Sequence, residues 1–176
     1  MKWVLITLAV LVALAVMLFV AGMMMPREHV ATSRITLKAP PDSVFAVLRD
    51  YGSFPSWHRA ITASVRVPTA SGERWKQSMG RDSMELDVIE ALAPSRLAIR
   101  IVSDETSAWG GTWTYALESA SGGGTVVCVT EHGWINPPPF RVIMSVVGAH
   151  RTMDALLASL GARFGETVAP EHVTSQ

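Results

Sequence analysis

The first 25 positions of the chain form an almost unbroken apolar run. From Trp3 to Met25 there are 23 residues without a charge, and only Thr7 and Gly22 are not apolar. As a helix, this run would be about 35 Å long, enough to cross a hydrocarbon core of about 30 Å. A cleaved signal peptide has a shorter apolar stretch, of about 7 to 15 residues, and ends in a small-residue cleavage motif that is missing here. The pattern therefore predicts an uncleaved transmembrane anchor over residues 1–25.

Beyond the anchor, residues 30–39 alternate between apolar and polar side chains, which predicts a first strand with one buried face. That face carries Ala31, Ser33, Ile35 and Leu37. Pro41 and Asp42 then suit the first turn of a helix that ends near Asp50, because a missing N–H costs nothing there and a carboxylate meets the positive helix end. After a turn, a second short helix is predicted to carry Phe54, Trp57 and a surface-exposed His58.

The middle of the chain predicts six more strands, joined by short turns that favour antiparallel hairpins. They cover residues 61–67, 73–80, 83–91, 96–103, 109–118 and 125–135. Alternation places one set of mostly apolar side chains on a common face and leaves the other face charged. The predicted inner set is Trp75, Gln77, Met79, Met84, Leu86, Val88, Leu97, Ile99, Ile101, Trp109, Trp113, Tyr115 and Leu117.

A long amphipathic helix is predicted from about Phe140 to Phe164 to cover this inner face. Its apolar stripe, at steps of three and four, is Ile143, Val146, His150, Met153, Leu157, Leu160 and Phe164. The expected fold class is therefore α+β: a bent antiparallel sheet of about seven strands on a long C-terminal helix, plus one N-terminal transmembrane helix. The folded domain is expected to cover residues 26–168, and the polar tail 169–176 is expected to be disordered.

Charge and motifs exclude several functions. Without Lys2, the chain has 14 Lys and Arg against 15 Asp and Glu, a formal charge of −1, so the basic footprint of a nucleic-acid-binding protein is missing. No metal-ligand spacing, phosphate-binding loop or G-x-S-x-G motif is present, so we expect no metal and no cofactor. The single Cys128 gives no information on redox compartment.

Basic residues flank both ends of the anchor: Lys2 precedes it, and Arg27, Arg34 and Lys38 follow it. The short positive N-terminus resembles a signal anchor, which predicts a single-pass protein with its domain on the extracytoplasmic side.

The order of strand, two short helices, six strands and long helix resembles the START-like helix-grip superfamily (SRPBCC), which includes the polyketide cyclase/dehydrase and lipid transport family. The resemblance covers residues 30–166 and rests on APPDSVFAVLRDYGSFPSW, GGTWTYALE, GTVVCVTEHG and the PPPF that opens the last helix. It implies a hydrophobic cavity between sheet and helix, one end of which the segment from Tyr51 to Trp57 would close. It does not imply an activity, because such folds host binding and catalysis alike.

Large polarisable side chains that point inward suit an adaptable apolar pocket, although a filled core is the competing interpretation. Among the inward polar groups, Gln77 and Tyr115 follow from alternation, whereas the register leaves the side of Glu131 open. His150 lies on the helix stripe. The predicted ligand-binding residues are Trp57, Trp75, Gln77, Met84, Trp109, Trp113, Tyr115, Glu131, His150 and Met153.

The sequence leaves three functions open. The leading hypothesis is a membrane-anchored domain that binds a lipid or another hydrophobic small molecule in an internal cavity. The alternative is a cyclase, dehydratase or hydrolase that uses Glu131 or His150 in the same cavity, although no motif assigns catalytic residues. A structural module that binds an envelope protein is the third, for which the sequence offers no surface patch.

Overall fold

Eight strands form one antiparallel sheet in the computed structural model, which describes residues 2–70 and 72–173. The strands are β1 Glu28–Leu37, β2 Ala63–Val67, β3 Glu73–Met79, β4 Asp82–Leu92, β5 Arg96–Ile101, β6 Trp109–Ser119, β7 Thr125–Ile135 and β8 Glu171–His172. The helices are α1 Lys2–Met23, α2 Pro41–Arg49, α3 Phe54–Trp57, α4 Pro138–Val147 and α5 Arg151–Arg163. The spatial order is β2-β3-β4-β5-β6-β7-β1-β8, so β1 returns to pair with β7. The predicted α+β helix-grip class is confirmed.

The inner face of the sheet is the one that alternation predicts. All seven predicted strands are present, with ends that differ from the prediction by at most two residues. On β1 the predicted inner side chains are between 0% and 5% exposed, and on β7 Val127 and Val129 are fully buried. The outer face carries ion pairs, such as the one in which Arg74 donates to Asp87 at 2.7 Å. One apolar face therefore needs a cover, as the sequence indicates.

The short helices after β1 supply part of this cover. Helix α2 begins at Pro41, as predicted, and buries Val44, Phe45 and Leu48. A 3₁₀ turn at Tyr51–Ser53 leads into α3. The prediction that His58 is exposed is wrong, because its imidazole is 8% exposed and its Nδ1 lies 3.1 Å from Ser159 Oγ on α5.

The C-terminal helix is broken in two, so the prediction of one helix from Phe140 to Phe164 is wrong in this detail. Gly148 adopts a φ of 89°, which an L-residue rarely tolerates, and it ends α4. Helix α5 lies on β1, where it buries Met153, Leu157 and Leu160, whereas α4 contacts the sheet at β7. Two members of the predicted stripe lie on α4 instead and are exposed: Ile143 by 46% and Val146 by 83%.

Helix α4 contacts α1 rather than the centre of the sheet. At the crossing, a Cβ on Gly22 would lie 1.9 Å from the Pro138 carbonyl oxygen, so glycine permits the close approach. Apart from Gly22, the side chains of α1 are exposed, and α1 is the one described helix long and apolar enough to cross a membrane.

Part of the tail that was predicted to be disordered is ordered. Glu171 and His172 form β8 and pair with Arg34 and Ser33 at the edge of the sheet. This adds one strand to the predicted seven. The polar tail gave no apolar alternation that could predict the pairing, and its last residues, 174–176, lie outside the described part of the chain.

Candidate functional site

The inner face of the sheet has two regions that differ along the strands. The rows that cross β1, β7 and β6 are Ile35–Val127–Leu117 at one end and Ala31–Glu131–Trp113 toward the other. The first region, which we call the covered region, consists of Ile35, Leu117, Val127 and, from α5, Met153, Leu157 and Leu160. The second region, which we call the open end, consists of His29, Trp109, Trp113 and Glu131, together with Met84 of β4, which lies beside the same opening as Trp109. Every residue of the covered region is at most 4% exposed, whereas Trp109 at the open end is 45% exposed.

Glu131 points to the inner face, which resolves the register that the sequence left open. It shares its side of β7 with Val127 and Val129, which are fully buried. Its Oε1 lies 3.7 Å from Nε2 of His29, and the two side chains are 17% and 26% exposed. Gly133 makes this contact possible, because a Cβ there would lie 2.5 Å from the His29 ring. The open end therefore contains a partly exposed carboxylate and imidazole in contact.

His150 belongs to a separate cluster at the break between α4 and α5. Ser33 Oγ, fully buried, donates to Asp154 Oδ1 at 2.7 Å and lies 3.1 Å from His150 Nδ1. Because the single Ser33 proton goes to Asp154, His150 Nδ1–H must donate to Ser33. A serine nucleophile would instead donate to the histidine, so this cluster joins β1 to α5 and does not activate Ser33.

The edge strand completes this cluster. His172 Nε2 lies 2.8 Å from Asp154 Oδ2, and the His172 and His150 rings stack with centroids 3.9 Å apart. Burial lowers the pKa of His150, the neighbouring His172 lowers it further, and Asp154 and Glu131 oppose the change. In the described residues no hydrogen bond joins His150 to Glu131, so the two predicted acid and base candidates have different partners.

Four buried polar side-chain atoms have no hydrogen-bond partner among the described residues. They are Tyr51 OH, Ser64 Oγ, Gln77 Nε2 and Trp113 Nε1. Gln77 and Tyr51 are only 3% and 2% exposed. Burial raises the pKa of Tyr51, so its hydroxyl stays protonated at neutral pH. Each of the four groups can donate a hydrogen bond, and three of them, on Tyr51, Gln77 and Trp113, belong to large side chains of the core and its margin.

Aromatic rings surround these donors. The Tyr51 ring lies 5.3 Å from the Phe54 ring and 5.7 Å from the Trp75 ring, measured between centroids. Trp113 lies 6.4 Å from Tyr115 on the same strand. Burial raises the pKa of Tyr115 well above its usual value, and the nearby Tyr51 and Glu131 act in the same direction. The interior near the open end is therefore aromatic, with donors that are not used by the protein.

A pocket of about 360 Å³ opens where β5 ends. Beyond Ile101 the chain leaves the sheet in a turn held by Asp104, whose Oδ1 accepts from Thr106 N at 2.9 Å. This departure leaves a gap between β4 and β6. Three inner-face residues line the pocket, namely Met84, Ile101 and Trp109. The charged Lys76 and Glu85, which alternation places on the outer face, line it as well. Its volume is within the range of about 300 to 1,000 Å³ that is typical of small-molecule sites.

The ten predicted ligand-binding residues do not form one group. Met84 and Trp109 line the pocket, whereas Gln77, Trp113 and Tyr115 do not. Trp113 faces Glu131 across the β6–β7 pair, and Trp75 contacts Tyr51. The remaining three lie elsewhere: Trp57 packs on Phe54 beside α5, Met153 is in the covered region, and His150 is in the Ser33 cluster.

Sequence reasoning missed His29, Ser33 and Asp154 as members of polar clusters. The sequence contained a signal for each. His29 is in phase with the buried side chains of β1, so an earlier strand start would have included it. Ser33 interrupts an apolar alternation, and Asp154 lies one helical turn after His150. In the described part of the chain no group of three or more His, Cys, Asp or Glu side chains could hold a metal ion.

Known proteins share this architecture. A family model described as polyketide cyclase / dehydrase and lipid transport matches residues 28–165. No curated protein matches the sequence. A START superfamily protein from Mycobacterium smegmatis superposes with a TM-score of 0.63 at 12% identity, over 77% of this chain and 96% of that one. The Zhui aromatase/cyclase from Streptomyces sp. R1128 superposes with a TM-score of 0.63 at 12% sequence identity, over 77% of this chain and 93% of that one. Norcoclaurine synthase from Thalictrum flavum superposes with a TM-score of 0.62 at 10% sequence identity, over 78% of this chain and 93% of that one. Identities this low show the fold alone.

Proposed function

Because the chain belongs to the polyketide cyclase/dehydrase and lipid transport family, within the START-like helix-grip superfamily, we propose that it binds a lipid or another hydrophobic small molecule. The ligand would lie against the inner sheet face near the open end. It would reach that place through the pocket between β4 and β6, which Met84 and Trp109 line. The covered region would act as the floor of the site.

The observation that carries this proposal is the set of unpaired donors on Tyr51, Gln77 and Trp113. Leaving a buried polar group without a partner costs about 1 to 3 kcal/mol, so proteins rarely keep several of them without a use. A ligand with acceptor oxygens would satisfy these groups, and its hydrocarbon part would fit among the aromatic and methionine side chains. A fatty acid, with one carboxylate and an apolar chain, has both properties.

The proposal is tested by asking whether a hydrophobic molecule copurifies with the protein. Native mass spectrometry of the full-length protein, followed by organic extraction, should detect a bound hydrophobic molecule. Delipidated protein should then take up a fluorescent fatty acid in a saturable manner. Protein that is repeatedly empty and shows no saturable uptake would contradict ligand binding.

We further propose that α1 anchors this domain in a membrane, with the domain on the extracytoplasmic side. Helix α1 has 22 residues, and its exposed apolar side chains suit an acyl environment. Lys2 before the helix favours a cytoplasmic position for that end of α1, although Arg27 follows the helix on the other side. Full-length protein should remain with membranes after an alkaline carbonate wash, and external protease should digest the domain in spheroplasts. Release by carbonate would contradict the anchor, and full protection from protease would reverse the orientation.

The second candidate function is an enzyme of the cyclase, dehydratase or hydrolase type that uses Glu131. The contact of Glu131 with His29 favours it, since a partly exposed carboxylate and imidazole can move a proton to or from a bound substrate. His150 is less suited, because Ser33 holds its Nδ1. Under this hypothesis Glu131→Gln abolishes conversion of the extracted ligand, followed by mass spectrometry, and leaves its binding intact. Equal conversion by both proteins would exclude Glu131 as the acid or base.

A further inference from the structure

Helix α4 is an apolar helix that packs on α1 with one side and exposes large apolar side chains on the other. Among its ten residues none is buried, and Arg141 is the one charged side chain. Four of its large apolar side chains are exposed: Phe140 by 57%, Ile143 by 46%, Val146 by 83% and Val147 by 43%. Contiguous apolar exposure of this kind marks a contact surface, because water solvates it poorly.

The contacts of α4 with the end of α1 indicate what surrounds the exposed side chains of α4. Pro138, at the start of α4, lies against Gly22 in the last turn of α1. Nη1 of Arg141 lies 3.4 Å from the carbonyl oxygens of both Gly22 and Met25. These contacts hold α4 at the end of α1 where the chain leaves the apolar segment. If α1 crosses a bilayer, α4 is held at its surface.

Charged and aromatic groups of the same neighbourhood fit the boundary between headgroups and acyl chains. The Arg27 guanidinium lies 5.3 Å from the centre of the Trp134 ring, near the end of β7. Tryptophan and arginine are typical of this boundary, where an apolar body and a polar group are solvated together. On α4 itself, Arg141 and Ser145 are one helical turn apart, and Phe140, Ile143 and Val147 follow steps of three and four.

We propose that α4 is an interfacial helix that lies in the surface of the bilayer crossed by α1, with Phe140, Ile143, Val146 and Val147 among the acyl chains. This rests on the proposed anchor. The proposal also places the open end of the sheet close to the bilayer surface. The five peptide steps from Met23 to Glu28 span at most about 18 Å, so the β1 terminus that leads to His29 lies within that distance of the end of α1. The ligand site would thus face its lipid source directly.

Depth-dependent fluorescence quenching in phosphatidylcholine vesicles tests this with the full chain. In a Cys128→Ser background, a nitrobenzoxadiazole label is attached to Val146→Cys on α4. Val65→Cys on β2, 55% exposed, is the matched control for an apolar surface position of the domain. Leu11→Cys, in the middle of α1, reports on the anchor.

The expected result is that labels at positions 146 and 11 emit at shorter wavelength and are quenched at least twofold more by doxyl phosphatidylcholine than the label at 65. Quenching at 11 with a label at 146 that behaves like 65 would overturn the interfacial helix and leave the anchor intact. A blue-shifted label at 146 without quenching would mean that protein covers α4, and would also overturn it. Absence of quenching at 11 would overturn the anchor, and this proposal with it.

Discussion

Strands β1, β6 and β7 contribute to both the covered region and the open end, yet the two regions differ in chemistry. In the covered region α5 closes the sheet, and Leu157, Leu160 and Val127 are fully buried. At the open end the same strands carry Trp113, and Glu131 in contact with His29. The difference originates at Gly148, where the C-terminal helix breaks and α4 turns to α1. One end of the sheet is therefore closed by α5, and the other contains the proposed ligand site.

The largest expected effect is a difference in how much a substitution in each region lowers the free energy of unfolding. Leu157→Ala removes a fully buried side chain from the covered region and should lower the free energy of unfolding by about 2 to 5 kcal/mol. Met84→Ala at the open end should lower it by less than about 1.5 kcal/mol, because Met84 is only partly buried. Urea unfolding followed by tryptophan fluorescence measures both values. Similar losses for the two variants would mean that the open end is packed like a core.

The stability of the structure between the covered region and the open end is expected to depend on Ser33. Ser33→Ala should cost about 1 to 3 kcal/mol, because it leaves Asp154 and His150 without their shared partner. Thr32→Val is the matched control on the adjacent position. It removes the bond to Thr130, which lies on the opposite face, and should cost less than about 1 kcal/mol. A control that costs as much as Ser33→Ala would contradict a special role of the cluster.

A change in the opposite direction is expected from Gln77→Met. This nearly isosteric substitution removes an unpaired buried amide, so the ligand-free protein should become more stable by about 1 kcal/mol. Thermal unfolding of delipidated protein provides the measurement. A clear loss of stability would show that the amide of Gln77 is satisfied in solution and is not a free donor for a ligand.

The covered region could be predicted from the sequence more completely than the open end. Strict alternation on β1 and β6 assigns Ile35 and Leu117 correctly, because burial on one face imposes a period of two, whereas both faces of β7 are apolar and left the side of Val127 open. The prediction of one long C-terminal helix is wrong at Gly148, since the apolar stripe continues through the break. Ile143 and Val146 are exposed on α4, which contacts α1 instead of covering the inner face of the sheet, and a stripe alone does not tell which surface it meets.

The polar contacts could not be predicted, because they join residues that are distant in sequence. Ser33 meets Asp154 and His150 only after β1 has paired beside α5, and His172 arrives from a tail that lacks apolar periodicity. Glu131 was a candidate from the sequence, whereas its partner His29 depends on the glycine at position 133.

The pH dependence of stability is the smallest expected effect. Burial lowers the pKa of His58, so the unfolded chain binds a proton at a higher pH than the folded protein does. Stability should therefore fall as the pH decreases below about 6.5, the usual pKa of histidine. His58→Gln should weaken this dependence in melting curves recorded from pH 8 to pH 5. The same comparison with His132→Gln, which changes an exposed imidazole, separates burial from the mere loss of a histidine. An unchanged slope in His58→Gln would contradict the assignment.

The affinity of delipidated protein for a fluorescent fatty acid tests the central claim most directly, namely that buried donors near the open end bind the oxygens of a hydrophobic ligand. Gln77→Met and Trp113→Phe each remove one donor and should weaken binding about tenfold, the equivalent of one charge-assisted hydrogen bond. Thr112→Val changes the neighbour of Trp113 on the opposite face of β6 and should bind as the wild type does. Equal affinities for wild type, Gln77→Met and Trp113→Phe would contradict the claim.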